Sequence, residues 1–140
     1  MFYVDTSALV PMFIREPRSE ALVEWLEARE ERLAISEWSL VEFASAAAIK
    51  VRSGSVTASL ARNAIAQASA FARNRCTVPS PREEEFRRAA ELAGEAARGL
   101  RAGDALHLAM AQALDVQGIL CLDEAMCESA RALGIDVVTF

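Results

Sequence analysis

Phe2-Tyr3-Val4-Asp5-Thr6-Ser7-Ala8-Leu9-Val10 decides how this chain is read. Three apolar residues run into an aspartate and two hydroxyl residues, and a helical spacing then begins at Ala8-Leu9-Val10 and continues with Phe13-Ile14. A short buried strand therefore hands over directly to a helix. The pattern recurs. Leu33-Ala34-Ile35 precedes Ser36, with Ser39 as an alternative cap, and an unusually apolar helix to about Val51 that Ser53-Gly54 stops. Gly118-Ile119-Leu120-Cys121-Leu122 is a buried-strand pattern ending at Asp123, followed by a helix to about Leu133, a Gly134 stop and a last strand Asp136 to Phe140.

Between these stretches the reading is mostly helical. Arg15-Glu16-Pro17 breaks the first helical segment, and Ser19 opens an amphipathic helix toward Arg29. An alanine-rich helix spans about Val56 to Ala72. Cys76-Thr77-Val78 is a third strand, ended by Pro79-Ser80-Pro81. Glu83 to Arg98 reads as a helix with an acidic first turn, Gly99 to Gly103 as a break, and Asp104 to Leu114 as a helix apolar nearly all round. Short strands alternating with helices predict a three-layer α/β/α domain, with a parallel sheet of about five strands and helices on both faces. At 140 residues, one domain spanning 1–140 is expected.

Composition narrows the class. With 53% hydrophobic and 25% charged residues, disorder and fibrous structure are excluded. No apolar run approaches the roughly 18 residues of a membrane span, and no secretory leader precedes Asp5, so a cytoplasmic protein is expected. Three cysteines, Cys76, Cys121 and Cys127, are odd in number and lack zinc-ligand spacing, which reads as reduced, mostly buried thiols. The net charge of −5 argues against a nucleic-acid partner at first sight. Yet of the 15 basic residues 14 are arginines and one, Lys50, is a lysine, and the five aspartates fall mainly at element ends.

Four carboxylates depart from a solvated-surface pattern. Asp5 and Asp123 follow strands, where ligands of open α/β sheets bind. Each is also positioned to cap a helix, although Thr6 or Ser7 could cap the first one and leave Asp5 free to project into the crevice. Glu42 is the only ionisable group between Glu37 and Lys50, on a helix with no obvious solvent side, where an unpaired carboxylate is costly. Asp104, an alternative N-cap after Gly103, shares a helical face with the single histidine, His107, which reads as a packed, hydrogen-bonded neighbour rather than a metal ligand. An oxygen-only set suits Mg²⁺ or Mn²⁺ rather than zinc. Such a cation relieves the mutual repulsion of the acids, lowers the pKa of water and neutralises a phosphoryl group, so metal-assisted phosphodiester hydrolysis fits best.

Five segments carry a resemblance over nearly the whole chain: Asp5-Thr6-Ser7-Ala8-Leu9, Arg15-Glu16-Pro17, Ser36 to Glu42, Leu100 to Ala109, and Leu120-Cys121-Leu122-Asp123. In order and spacing they resemble the PIN-domain nucleases, and within them the VapC-type ribonuclease toxins of toxin–antitoxin modules. The resemblance implies that Asp5, Glu42, Asp104 and Asp123 bind one or two Mg²⁺ or Mn²⁺ ions, and that RNA is cut endonucleolytically to 5′-phosphate and 3′-hydroxyl ends. It further implies a supporting contact from Thr6, with Ser7 and His107 beside it; Arg98 and Arg101, just before Asp104, are candidates for the RNA backbone or else solvated surface arginines. A homodimer and a small antitoxin protein are the implied partners, with Phe13, Trp25 and Trp38 as groove, dimer or plain core residues. This chain departs from the pattern at Cys121, where Thr or Ser is usual. Three other readings compete. A phosphate-receiver or phosphatase-like domain wants a lysine at its site, but Lys50 lies two helical turns beyond Glu42, and position 7 lacks the second aspartate of the phosphatase motif. A non-catalytic PIN-like binding or dimerisation module would be marked by loss of divalent-metal binding.

Overall fold

The computed structural model describes residues 1–140. Five strands form one sheet: β1 (Phe2–Val4), β2 (Leu33–Ala34), β3 (Cys76–Thr77), β4 (Gly118–Leu120) and β5 (Asp136–Val137), in the order β3-β2-β1-β4-β5. All neighbouring pairs are parallel, with Tyr3 opposite Ala34 on one side and Ile119 on the other. Parallel neighbours need crossovers. Seven helices supply them: α1 (Thr6–Leu9), α2 (Ser19–Glu27), α3 (Glu37–Arg52), α4 (Ala58–Arg75), α5 (Glu83–Gly94), α6 (Ala102–Ala113) and α7 (Glu124–Ala132). The parallel sheet of five strands with helices on both faces is thus the fold that the alternation predicts.

Strand side chains alternate between faces, which divides the interior in two. Val4, Leu33 and Leu120 join the core beneath α1 to α4, while Tyr3, Ala34 and Ile119 join the core beneath α5 to α7. The stripe Ala61, Ala64, Ala68 and Ala72 gives α4 a small-residue face in the first core, where Phe43 and Ala47 of α3 are also buried. Phe13 packs edge-on against Phe43 and Phe71, and Trp25 against Phe2 with Arg29 over its ring, so both are accounted for by packing. At Gly118 a Cβ would lie 2.9 Å from the Asp136 carbonyl and 3.2 Å from the Phe2 ring, so β4 fits between its neighbours only with glycine there.

Several boundaries differ from the sequence reading. The helix from Glu83 ends at Gly94, and a 3₁₀ turn at Ala96–Arg98 closes on Gly99 with φ +62°, a left-handed conformation that suits glycine. Helix α6 starts at Ala102, so Gly103 lies in its first turn rather than in a break. Strands β4 and β5 stop at Leu120 and Val137, and β4 pairs along the three residues of β1. Helix α3 does have a solvent side, and Val41 and Ile49 are 59% and 52% exposed on it. The cysteines are not all reduced. Cys121 and Cys127 are paired as a disulfide, with Cα atoms 6.2 Å apart, because the turn into α7 folds its first turns back over the end of β4. Cys76 is a free thiol that burial pushes up to about 12.

Candidate metal centre

The chain runs from β1 through β2 to β3 on one side, then returns to place β4 on the other side of β1. That reversal opens a crevice beyond the carboxyl ends of β1 and β4, the place where such sheets take ligands. Asp5 leaves β1 there, with its amide donating to Leu120 O at 3.1 Å. The hydroxyl of Ser7 accepts from Leu122 N at 2.7 Å, which ties the start of α1 to the loop after β4. Ser7 thus has a structural duty in the loop that leads to Asp123.

Asp5 is only 2% exposed and does cap α1, accepting from Ala8 N at 3.1 Å. The expectation that Thr6 or Ser7 would relieve it of capping is therefore incorrect: Thr6 and Ser7 lie inside the helix, and the extended backbone of Asp5 puts its carboxylate over the first turn. Burial raises the Asp5 carboxyl above its ordinary value, against the pull of nearby His107, Ser7 and Ala8. No salt bridge compensates this carboxylate.

Glu42 projects from α3 into a web of donors. Its Oε2 accepts from Thr6 Oγ1 at 2.8 Å and lies 2.6 Å from His107 Nε2. Burial would raise its carboxyl, but the hydrogen bond and proximity of His107, with Thr6, outweigh that and hold it below the ordinary value. An ionised carboxylate only accepts, so His107 Nε2 carries a proton. Its Nδ1 lies 2.9 Å from the Tyr3 hydroxyl, which lies 3.1 Å from Ser36 Oγ. Ser36 and Ser39 in turn cap α3 reciprocally, each hydroxyl accepting from the other's amide. Tyr3, Ser36, Ser39 and His107 are all buried, and burial raises the Tyr3 phenol further, so it stays a donor. Glu42 is thereby held by a continuous polar chain that begins at the cap of its own helix.

Gly103 completes this corner. A Cβ there would collide with Glu42 Oε1 and come within 3.5 Å of Trp38 Nε1. Trp38 Nε1 is buried without a hydrogen-bond partner beside Glu42, while its ring forms part of an apolar hollow with Phe86 and Leu106. Sequence reasoning missed Tyr3, Ser36, Ser39 and Gly103. A phenol hydroxyl in a three-residue apolar strand and a glycine immediately before an acid were the available signals.

Asp104 and Asp123 stand on helix starts. Asp104 is the third residue of α6 rather than its cap, and its Oδ2 accepts from Arg101 N at 3.2 Å. Burial, and then the charges of Asp123 and Glu42, raise its carboxyl above the ordinary value. Asp123 is exposed and caps α7 through Met126 N at 2.9 Å. Cys121, at the position where the resemblance expects a hydroxyl, is instead joined to Cys127, and the disulfide brackets Asp123. Arg98 pairs with Glu95 at 2.6 Å, while Arg101 has no carboxylate partner and is exposed.

The three aspartates each spend one oxygen on a backbone amide and keep the other. As they stand, no group of three acidic, histidine or cysteine side chains is arranged to hold an ion. That is compatible with Mg²⁺, which binds through one or two carboxylates, several waters and substrate phosphates rather than in an all-protein cage. An uncompensated buried aspartate and an Asp104 raised by its acidic neighbours fit a divalent cation.

The PIN domain family model matches residues 2–140, and the chain belongs to that family. Among curated proteins it is 32% identical over 139 residues to Ribonuclease VapC46 of Mycobacterium tuberculosis, covering 97% of this chain and 95% of that protein. Its fold is similar to the crystal structure of VapC20 of Mycobacterium tuberculosis, a toxin that cleaves the Sarcin-Ricin loop (TM-score 0.73, 17% identity, 92% of this chain and 95% of that one). It is also similar to a toxin–antitoxin complex from Klebsiella pneumoniae (TM-score 0.69, 19% identity, 99% and 97% covered).

Proposed function

We propose that this protein is an endoribonuclease toxin of a toxin–antitoxin system, a single PIN domain that hydrolyses RNA phosphodiester bonds with Mg²⁺ or Mn²⁺ held by Asp5, Glu42, Asp104 and Asp123. The observation that supports the reading is Asp5, buried at the carboxyl end of β1 and unpaired by any cation, with Asp104 raised by the charges of Asp123 and Glu42. When bound, the cation would lower the pKa of a water and neutralise charge on the phosphoryl group. The chain's own residues supply the rest. His107 and Thr6 hold the Glu42 carboxylate ionised and fixed. Tyr3 fixes the His107 ring from the other side. Arg101, and Arg98 once released from Glu95, would bind backbone phosphates outside the crevice. The similar toxin–antitoxin complex supports an antitoxin partner, for which the Trp38 hollow is an apolar seat, and the same reading includes a homodimer.

The test is incubation of purified, antitoxin-free protein with a mixed pool of structured RNA in Mg²⁺, Mn²⁺ or EDTA, beside Asp5→Asn as a control for contaminating ribonuclease. Cleavage that needs a divalent ion, leaves 5′-phosphate ends and is absent from the variant is expected. Equal cleavage by the variant, or in EDTA, would refute the reading. A wild type that binds no divalent ion would favour a non-catalytic module.

A further inference from the structure

The sequence sets Lys50 two helical turns away from Glu42, yet the fold brings it to the crevice. Lys50, Glu16, Thr6, Ser7, Ala46 and Asp123 line one hollow of about 420 Å³. Its far wall is an ion pair, Lys50 Nζ to Glu16 Oε1 at 2.5 Å, with side chains only 27% and 29% exposed. Glu16 is itself fixed: its amide donates to Ser19 Oγ at 2.9 Å, and that buried hydroxyl donates to Pro11 O at 2.6 Å. The pair is partly shielded from water, and its ammonium lines the hollow. A lysine ammonium has three donors, and Glu16 occupies one.

We infer that Lys50 is a substrate-binding residue that contacts an RNA phosphate next to the one at the acids, and that Glu16 positions its ammonium while tempering its charge. The inference rests on the ribonuclease reading above. A strand that brings one phosphate to Asp123 fills the same hollow with its neighbouring nucleotide, and Lys50 is the only cation lining that hollow. A compact ammonium suits a single phosphate oxygen, whereas an arginine fork would bind Glu16 bidentately and hold it.

The two residues of the pair give opposite signs. Binding of the full-length protein to the mixed RNA pool is measured by fluorescence anisotropy across a salt series in Ca²⁺, and cleavage in Mg²⁺. Lys50→Ala is expected to weaken binding about 5–10-fold, to raise KM in proportion with kcat within about twofold, and to reduce the slope of log affinity against log salt by about one. Lys50→Arg keeps the charge but is held by Glu16, so it recovers only part of the affinity. Glu16→Gln, which removes a repelling charge but keeps an acceptor, tightens binding. If Lys50 and Glu16 only brace the fold, both substitutions lower the melting temperature together and leave KM and the salt slope unchanged, which would overturn the inference. A wild type that binds RNA without cutting it refutes the proposed reaction and leaves the Lys50 comparison readable; one that neither binds nor cuts refutes both.

Discussion

Asp5 is buried at the end of β1, Glu42 and Asp104 are half-buried, and Asp123 is exposed. Asp5 bears the cost of burial with no cation to offset it, whereas His107 and Thr6 outweigh the burial of Glu42 and hold it ionised. Asp104 and Asp123 both accept a backbone amide at a helix start, where the helix dipole favours negative charge, yet burial and its acidic neighbours still raise Asp104. Asp5 and Asp104 are therefore held ionised against the preference of the fold, at a cost that a bound cation would offset, while Asp123 would be at home in a protein without any activity. Carboxylates of the first kind carry the stronger functional signal.

Substitutions should follow that division. Asp5→Asn has the largest expected effect: RNA cleavage falls below detection while the fold persists, since asparagine also caps a helix. In EDTA the same variant should be more stable than wild type. The Asp5 carboxyl is raised in the folded state, so its favourable contribution is present at low pH and is lost as pH rises through the raised value. Urea unfolding in EDTA from pH 4 to pH 8 should show the variant's advantage growing with pH. Glu42 has the opposite sign, because its carboxyl is lowered and its contribution is lost only as pH falls through that lowered value.

Next in size are residues that hold Glu42 without touching RNA. Gly103→Ala forces the Glu42 carboxylate to move, and since the atom displaced is the end of a flexible side chain, melting should change little. Its cleavage rate should fall about 10–100-fold, as for other supports of metal ligands. Tyr3→Phe removes the hydroxyl at His107 Nδ1 and should lower cleavage about 10-fold, with a stability loss of about 1–3 kcal/mol from the buried group left unpaired. The smallest effect is expected at the exposed acid. Asp123→Asn keeps the α7 cap, so its loss of activity in a cleavage time course should be well below that of Asp5→Asn; equal losses would erase the distinction between buried and exposed acids.

The fold was readable because three strands announce themselves by the same handover from apolar run to cap to helix, at Val4-Asp5, Ile35-Ser36 and Leu122-Asp123. Period and capping are local properties, and all five strands were legible by them. Helix ends were less so: α5 stops at Gly94 because Glu95 turns to extended geometry before the 3₁₀ turn to Arg98, and no apolar spacing marks that. At the crevice the carboxylates stood out against their apolar context. Their supports did not, since Tyr3 reaches His107 across 104 positions and Lys50 reaches Glu16 across 34. Only the sheet order decides such meetings. The Cys121 to Cys127 pairing was missed for a related reason, because it depends on how sharply the chain turns at Asp123.

The most direct test follows thermal unfolding of wild type and Asp5→Asn at pH 7 during titration with Mg²⁺ from metal-free protein. A site that binds only the folded chain stabilises it by about 2.7 kcal/mol at a hundred times the dissociation constant. The wild type should start below the variant and rise past it as Mg²⁺ is added, while the variant stays nearly flat. Parallel curves, or a wild type that Mg²⁺ does not move, would contradict a divalent-cation site built around Asp5.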